Sequence, residues 1–300
     1  PYRDPHADAL VAGLDAAGLA APLLRNTAFK LHYYQSNPNC RLQLLVDTQG
    51  QILATLGSED MAVRIGGSNR AAAMLSNTFA MRPGAFPLLF LQWMKSVETG
   101  MAMPAAVELE HQFAKQTRWA AVSGLHRYWL NWGFPTKPDD AAWKKLAKPL
   151  VRLMRRVDAS GFEPRVRAIA PAGLQLREET CFDSQMAQPK GNFGFQLALD
   201  AAHLNWRFDT TLTYTRYRVF RIERGGMTCG AVVIAEWPHC LLVSYCNGDD
   251  ADLLACAVLL IIAHLNQGQN RYRRVILSAM HEDMVALFRR FGFSPAPQPS

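Results

Sequence analysis

Apolar runs broken by short polar turns recur along this chain at spacings that define its elements. Arg41–Val46 and Gln51–Leu56 flank Asp47-Thr48-Gln49-Gly50, which predicts a β-hairpin with glycine at its turn. A second hairpin is predicted where Tyr217–Ile222 and Gly230–Glu236 flank Glu223-Arg224-Gly225-Gly226. Further strands are expected over Ala72–Met81, Arg165–Ile169, Cys240–Cys246 and Arg274–Ser278. Helices are expected from Phe86 to Val97, from Glu108 to Lys115 and, as a buried helix, from Ala251 to Asn266. Asp8–Leu24 also has helical spacing, but Gly13, Gly18 and Pro22 divide it into two short helices. After Ile169 the pattern reads as irregular or helical, up to Leu204-Asn205-Trp206-Arg207-Phe208.

The C-terminal end is a compact unit: a strand, an amphipathic helix and then Gly-Phe. Met284, Leu287, Phe288 and Phe291 recur at three and four. Gly292 stops the helix where a left-handed residue is needed, and Phe293 turns back to the core. A looser copy sits mid-chain, with a strand at Arg118–Val122, a helix at His126–Trp132 and then Gly133-Phe134. The hairpins are also copies, since Val46–Ala54 lies over Ile222–Gly230. The hairpins are 176 residues apart and the Gly-Phe pairs 159, so the first half carries insertions. Between the halves, Trp143, Leu146, Ala147, Leu150, Leu153, Met154 and Val157 form an apolar stripe opposite Lys144, Lys145, Lys148, Arg152 and Arg156. This divides the chain into an N-terminal domain at 1–136, a connecting amphipathic basic helix at 137–160 and a C-terminal domain at 161–300. The fold class is α/β in the α+β sense of a mixed sheet. Each domain has a mostly antiparallel sheet, one parallel crossover and helices on both faces.

Composition narrows the classes without choosing among them. Apolar content of 49% and charged content of 19% are those of a globular protein. The longest apolar run, Leu253–Leu265, is too short to span a bilayer and is interrupted by His264. The six cysteines include no Cys-x-x-Cys pair, which points to reduced thiols, no zinc site and a cytoplasmic location. The net charge of +7 is concentrated between Lys137 and Arg167, with nine Lys or Arg against four Asp or Glu. That is the solvated face of a helix, or a surface for an anionic partner.

The hairpin with Gly226 and Gly230, the strand Leu241–Cys246 entering a helix, and His281–Phe293 together resemble the GNAT superfamily of N-acyltransferases in its tandem two-domain form. Gly50, Arg82-Pro83-Gly84 and Gly133-Phe134 carry the resemblance in the first half. It covers most of residues 41–134 and 212–293. The resemblance implies acetyl-CoA or a longer acyl-CoA as donor, no metal, and a small-molecule amine as acceptor. It also implies that the donor's pyrophosphate rests on backbone N–H groups where a helix follows the fourth strand, an uncapped helix start being a natural anion site. In the first half this position is Met81, Arg82, Gly84, Ala85 and Phe86; in the second it is Asn247-Gly248-Asp249-Asp250, whose carboxylates repel a diphosphate. The first half is therefore the expected donor site.

Relatives place a tyrosine four residues before the Gly-Phe glycine to protonate the departing thiolate. Trp129 and Phe288 stand there, so the resemblance carries no general acid over in either half; the adjacent Tyr128, about 100° round a helix from that position, is kept as a catalytic candidate. His281 occupies the polar position eleven residues before Gly292, and Glu110, beside His111, is the candidate base. Trp206 and Arg207 could hold a carboxylate or phosphate of the substrate. Two other readings stay open. One is a catalytically inactive GNAT-like binding or assembly module. The other is an acyltransferase whose donor is an acyl carrier protein or aminoacyl-tRNA held by the basic helix.

Overall fold

The computed structural model describes residues 6–101, 126–131, 141–143, 145, 147–150, 161–266, 272, 274–279 and 281–295. They divide into two compact units: Pro1–Ala105 with Phe193–Leu199, and Ala106–Asn192 with Asp200–Ser300. The expected elements at Glu108–Lys115, Arg118–Val122, Gly133-Phe134 and 151–160 lie outside the described residues.

The first unit opens with α1 (Ala7–Ala16), α2 (Pro22–Arg25) and α3 (Thr27–Lys30). Asn26 caps α3 by accepting from the Phe29 N–H at 3.0 Å. The chain then widens into one turn of π-helix, Leu31–Gln35, where the Ser36 N–H reaches the Leu31 carbonyl five residues back at 2.9 Å. Strands β1 (Cys40–Val46), β2 (Ile52–Ile65) and β3 (Ser68–Ala80) form an antiparallel meander. Gly50, at φ +82°, closes its first turn as expected, and Gly66-Gly67, both at positive φ, close the second. Helix α4 (Phe86–Ser96) leads to β4 (Gly100–Met101), which pairs parallel to β3 at Ala73 and Met74. Leu89, Phe90 and Trp93, at helical spacing, are the buried side of α4. On its other edge β2 takes up a strand from much later in the chain, β7 (Phe195–Leu197).

The second unit is a seven-stranded sheet in the order β12-β5-β11-β10-β9-β8-β6. Its strands are β5 (His126–Asn131), β6 (Leu174–Glu179), β8 (Arg216–Arg224), β9 (Met227–Trp237), β10 (Cys240–Gly248), β11 (Arg274–Ala279) and β12 (Ser294–Pro295). All neighbours are antiparallel except β10 and β11. Three short helices precede the meander: α5 (Phe162–Arg167), α6 (Ser184–Ala187) and α7 (Ala201–Arg207). Helix α8 (Ala251–Asn266) connects β10 to β11 and is buried almost throughout, with Asp252 and His264 exposed. Helix α9 (Glu282–Arg290) forms as its spacing indicates. Gly292 at φ +87° lets its N–H reach Arg289 O and the Phe293 N–H reach Phe288 O, both at 3.0 Å. The Phe288 and Phe293 rings meet at 5.4 Å, the apolar contact that accompanies this kind of stop.

Three sequence expectations are corrected. His126–Trp132 was expected as the helix of a first-half ending unit; residues 126–131 are instead a strand of the second unit. Tyr128 and Leu130 point inward at period two, and the strand pairs with β11 on one side and β12 on the other. Arg165–Ile169 was expected as a strand but falls largely within α5. There Phe162 and Val166 bury together and Glu163 pairs with Arg167 one turn later. The stretch after it contains an unanticipated strand, β6, whose polar sequence Leu-Gln-Leu-Arg-Glu-Glu suits the sheet edge it occupies.

Both meanders carry a bulge on the strand that leads into the connecting helix. In the first, Thr55↔Phe79 is followed by Gly57↔Ser76, leaving an extra residue on β3 at Asn77-Thr78. In the second, Val243↔Ile234 is followed by Tyr245↔Val233, leaving Ser244 unmatched on β10.

Candidate functional site

Each unit contains a strand, a turn and a helix leading to a parallel strand, and the two turns differ chemically. In the first unit the turn Met81–Ala85 joins β3 to α4. Gly84 adopts φ +80°, a left-handed conformation that suits glycine, and Arg82, Pro83 and Gly84 are exposed. The Met81 and Arg82 N–H groups both donate to the Leu53 carbonyl, at 2.9 and 3.1 Å, and the Ala85 N–H donates to Arg82 O at 3.2 Å. Helix α4 has no side-chain cap and has a proline in its first turn, so the N–H groups of Gly84 and Phe86 are the donors this turn can offer. An exposed guanidinium at Arg82 stands beside them. An uncapped helix start, a glycine and a cation together suit a diphosphate.

The second turn is closed by its own side chains. Asp250 caps α8, accepting from the Leu253 N–H at 2.7 Å, and the Asp249 N–H donates to Cys229 O at 3.0 Å. The buried Asn247 amide is spent on the end of α6 and the segment after it: it donates to Gln188 O at 2.8 Å and to Met186 O at 3.4 Å, and accepts from the Lys190 N–H at 3.0 Å. A Cβ at Gly230 would overlap the Asn247 carbonyl and come within 2.8 Å of Gly248 Cα, so backbone fills this corner. The β10–β11 ladder covers Cys240–Leu242, and past Ser244 β10 stays paired with β9 as far as Gly248. Beyond that point Tyr245 packs edge-on against Phe182 at 6.1 Å and tilted against Phe208 at 5.9 Å. Burial pushes its phenol well above the usual range.

The residues singled out from sequence are distributed between the units. Met81, Arg82, Gly84, Ala85 and Phe86 stand together at the first turn. Tyr128 belongs to the second unit, on β5, with 2% of its surface exposed and the Arg289 guanidinium 5.9 Å from its ring centre. His281 is the residue before α9, with Nδ1 3.7 Å from Asp283 Oδ2. Trp206 and Arg207 end α7, where Trp206 meets His203 edge-on at 5.5 Å and the Arg207 guanidinium lies 5.7 Å from the Phe208 ring centre. Glu110 lies outside the described residues.

Sequence reasoning missed a polar cluster in the first unit. Tyr33 of the π-helix donates to the buried Glu59 carboxylate. Tyr34 accepts from Asn77 Nδ2 at 2.7 Å, and burial pushes its phenol up to about 12. The signal available was the pair Tyr33-Tyr34 near the polar residues Ser58, Glu59 and Asp60 in an otherwise apolar strand. Among the described residues no group of three His, Cys, Asp or Glu side chains could hold a metal ion, and no helix is long and apolar enough to cross a membrane.

No family profile matches the chain, and no curated protein matches its sequence. The fold does have solved counterparts. A tandem GNAT protein from the clavulanic acid biosynthesis pathway aligns at a TM-score of 0.53 and 14% identity, over 97% of this chain and 92% of that one. N-myristoyltransferase from Saccharomyces cerevisiae, with bound myristoyl-CoA, aligns at 0.51 and 11% identity, over 83% of this chain and 65% of that one. A probable N-acyltransferase from Enterococcus faecalis V583 gives 0.46 and 10%, over 92% of this chain and 63% of that one. The chain therefore spans less than two thirds of the length of the last two proteins. At the level of architecture, this chain has the tandem GNAT fold.

Proposed function

We propose that the chain is an acyl-CoA-dependent N-acyltransferase whose donor is held by the first unit, with its diphosphate at the turn Met81–Phe86. The contrast between the two turns carries this reading. The first is exposed, uncapped and cationic, whereas the second is capped by a carboxylate and packed by Asn247. The fold adds support, since its solved counterparts include a myristoyltransferase with bound myristoyl-CoA.

In this proposal the Gly84 and Phe86 N–H groups and the Arg82 guanidinium bind the diphosphate, and the donor's extended arm follows β3. The acceptor amine attacks the thioester carbonyl carbon directly. A base removes the amine proton, the C–S bond breaks, and the departing CoA thiolate takes up a proton. Backbone donors stabilise the oxyanion that forms on the way. Glu110, Trp206 and Arg207 stay candidates from the sequence, the first for a base and the pair for a carboxylate or phosphate contact. Tyr128 is buried on a strand and is given no catalytic part. Titration calorimetry with acetyl-CoA and a long-chain acyl-CoA tests the proposal; donor affinity lost in Arg82→Glu supports it, and no binding by the wild-type chain refutes it.

One observation favours a second reading, a binding module without catalysis. Two of the first turn's N–H groups are already spent on Leu53 O, and Pro87 supplies none, so the cradle is small. Acyl-CoA binding without turnover for any amine would identify that case. Salt-sensitive binding of an acyl carrier protein or aminoacyl-tRNA, lost when the basic residues of 144–156 are neutralised, would identify the carrier-dependent one.

A further inference from the structure

Asn77, the bulged residue of β3, has φ +47°, a conformation that side chains other than glycine adopt rarely. Two contacts hold it there. Its carbonyl accepts from Thr55 Oγ1 at 3.0 Å, and its side-chain Nδ2 donates to Tyr34 Oη at 2.7 Å. The Tyr34 hydroxyl also lies 3.4 Å from Ser76 Oγ, on the residue before the bulge.

Tyr34 reaches the bulge because of two unusual features of this unit. The first is the π-turn Leu31–Gln35, from which the consecutive residues Tyr33 and Tyr34 both reach the sheet, at Glu59 and Asn77 respectively. On an ordinary α-helix neighbouring side chains diverge by about 100°. The second is Gly57. A Cβ there would overlap the Tyr34 hydroxyl and the Ser76 carbonyl and stand 2.8 Å from Ser76 Oγ. Gly57 is not among the residues at positive φ, so what this position requires is space and not an unusual backbone conformation.

The same stretch of β2 holds the turn. Leu53 O receives the N–H groups of Met81 and Arg82, Thr55 holds the Asn77 carbonyl, and Gly57 makes room for the phenol. Asn77 and Arg82 are five residues apart on one strand end, so the direction β3 takes after its bulge fixes where the turn stands. We propose that Tyr34, admitted by Gly57, clamps the Asn77 bulge and thereby positions the turn Met81–Phe86, making Tyr34 a positioning residue for the acyl donor. The inference rests on the donor site proposed above.

Amide exchange and donor titration on the full chain test it together. Tyr34→Phe removes the acceptor of the Asn77 amide while keeping the ring. Exchange over residues 76–82 is expected to accelerate about tenfold, and acetyl-CoA affinity to fall by about tenfold, the scale of one lost hydrogen bond. Gly57→Ala, which displaces the phenol, is expected to reproduce both changes. Asn77→Gly, which holds a left-handed backbone unaided, is expected to restore both in the Tyr34→Phe background. Unchanged exchange in Tyr34→Phe, or no rescue of exchange by Asn77→Gly, overturns the clamp, and faster exchange with unchanged affinity overturns the positioning role. A wild-type protein that binds no acyl-CoA overturns the donor site and the positioning role with it, while the exchange data still decide whether Tyr34 holds the bulge.

Discussion

Replacing Arg221 with methionine should loosen the segment that fills the second turn, and its effect on stability should depend on pH. Arg221 is 7% exposed on β8. Its Nε donates to Glu179 Oε1 at 2.9 Å, Nη2 to Asp183 Oδ2 at 2.7 Å and Nη1 to Thr228 Oγ1 at 2.9 Å. Asp183 in turn caps α6 through the Met186 N–H at 2.9 Å, and the residues just beyond bond Asn247. Removing one partner of a fully buried pair costs about 3–5 kcal/mol. Here the Glu179 and Asp183 side chains keep 22% and 50% of their exposure, so water screens the orphaned carboxylates and about 1–3 kcal/mol is expected. The bonds from Arg221 hold the Asp183 carboxyl below its ordinary value. Burial raises the Glu179 carboxyl, but bonds from Arg221 and Arg177 outweigh it and leave it low as well. A carboxyl lowered on folding stabilises above its unfolded pKa, and that contribution disappears as pH falls through the folded one. The difference between wild type and Arg221→Met should therefore be full at neutral pH and shrink below about pH 4. Urea unfolding followed by circular dichroism at a series of pH values measures it, and amide exchange over 183–190 reports the loosening. A difference that persists undiminished in acid, or none at neutral pH, refutes the reasoning.

Other outcomes are expected from the same contacts. Phe288→Ala, which empties a site 1% exposed against Phe293, should destabilise the second unit by about 3–5 kcal/mol in urea unfolding. Asp250→Ala removes the cap of α8 and should cost about 0.5–2 kcal/mol while leaving acyl-CoA affinity unchanged. Tyr128→Phe should leave acyl-CoA affinity and turnover within about twofold, well under the tenfold that 1.4 kcal/mol represents. Arg82→Glu should weaken donor binding by more than about tenfold, most visibly at low salt.

Much of the fold was legible where local signals and tertiary packing agree. The two hairpins had glycines at their turns, α8 an apolar run interrupted at His264, and α9 its three-four spacing ahead of Gly292. Each signal lies within a few residues of the element it specifies. What escaped depended on partners remote in sequence. His126–Asn131 has helical-looking aromatics, but β11 and β12, more than 140 residues later, provide the ladders that make it a strand. Phe195–Leu197 is three residues long and joins β2 across some 130 residues of chain. At the candidate site, Arg82 and Gly84 were readable because a turn between a strand and a helix is a local pattern. The Tyr34–Gly57–Asn77 arrangement was not, because a π-turn, a bulge and a missing Cβ have no common spacing. Asp250 stands just before α8 and caps it by accepting from the Leu253 N–H.

The central claim is that one turn of two holds an acyl donor. Calorimetric titration of acetyl-CoA into the wild-type chain, Arg82→Glu and Asp250→Ala in parallel tests it most directly. One donor per chain is expected, with affinity lost in Arg82→Glu and kept in Asp250→Ala. Binding that survives Arg82→Glu but fails in Asp250→Ala, or no binding at all, contradicts it.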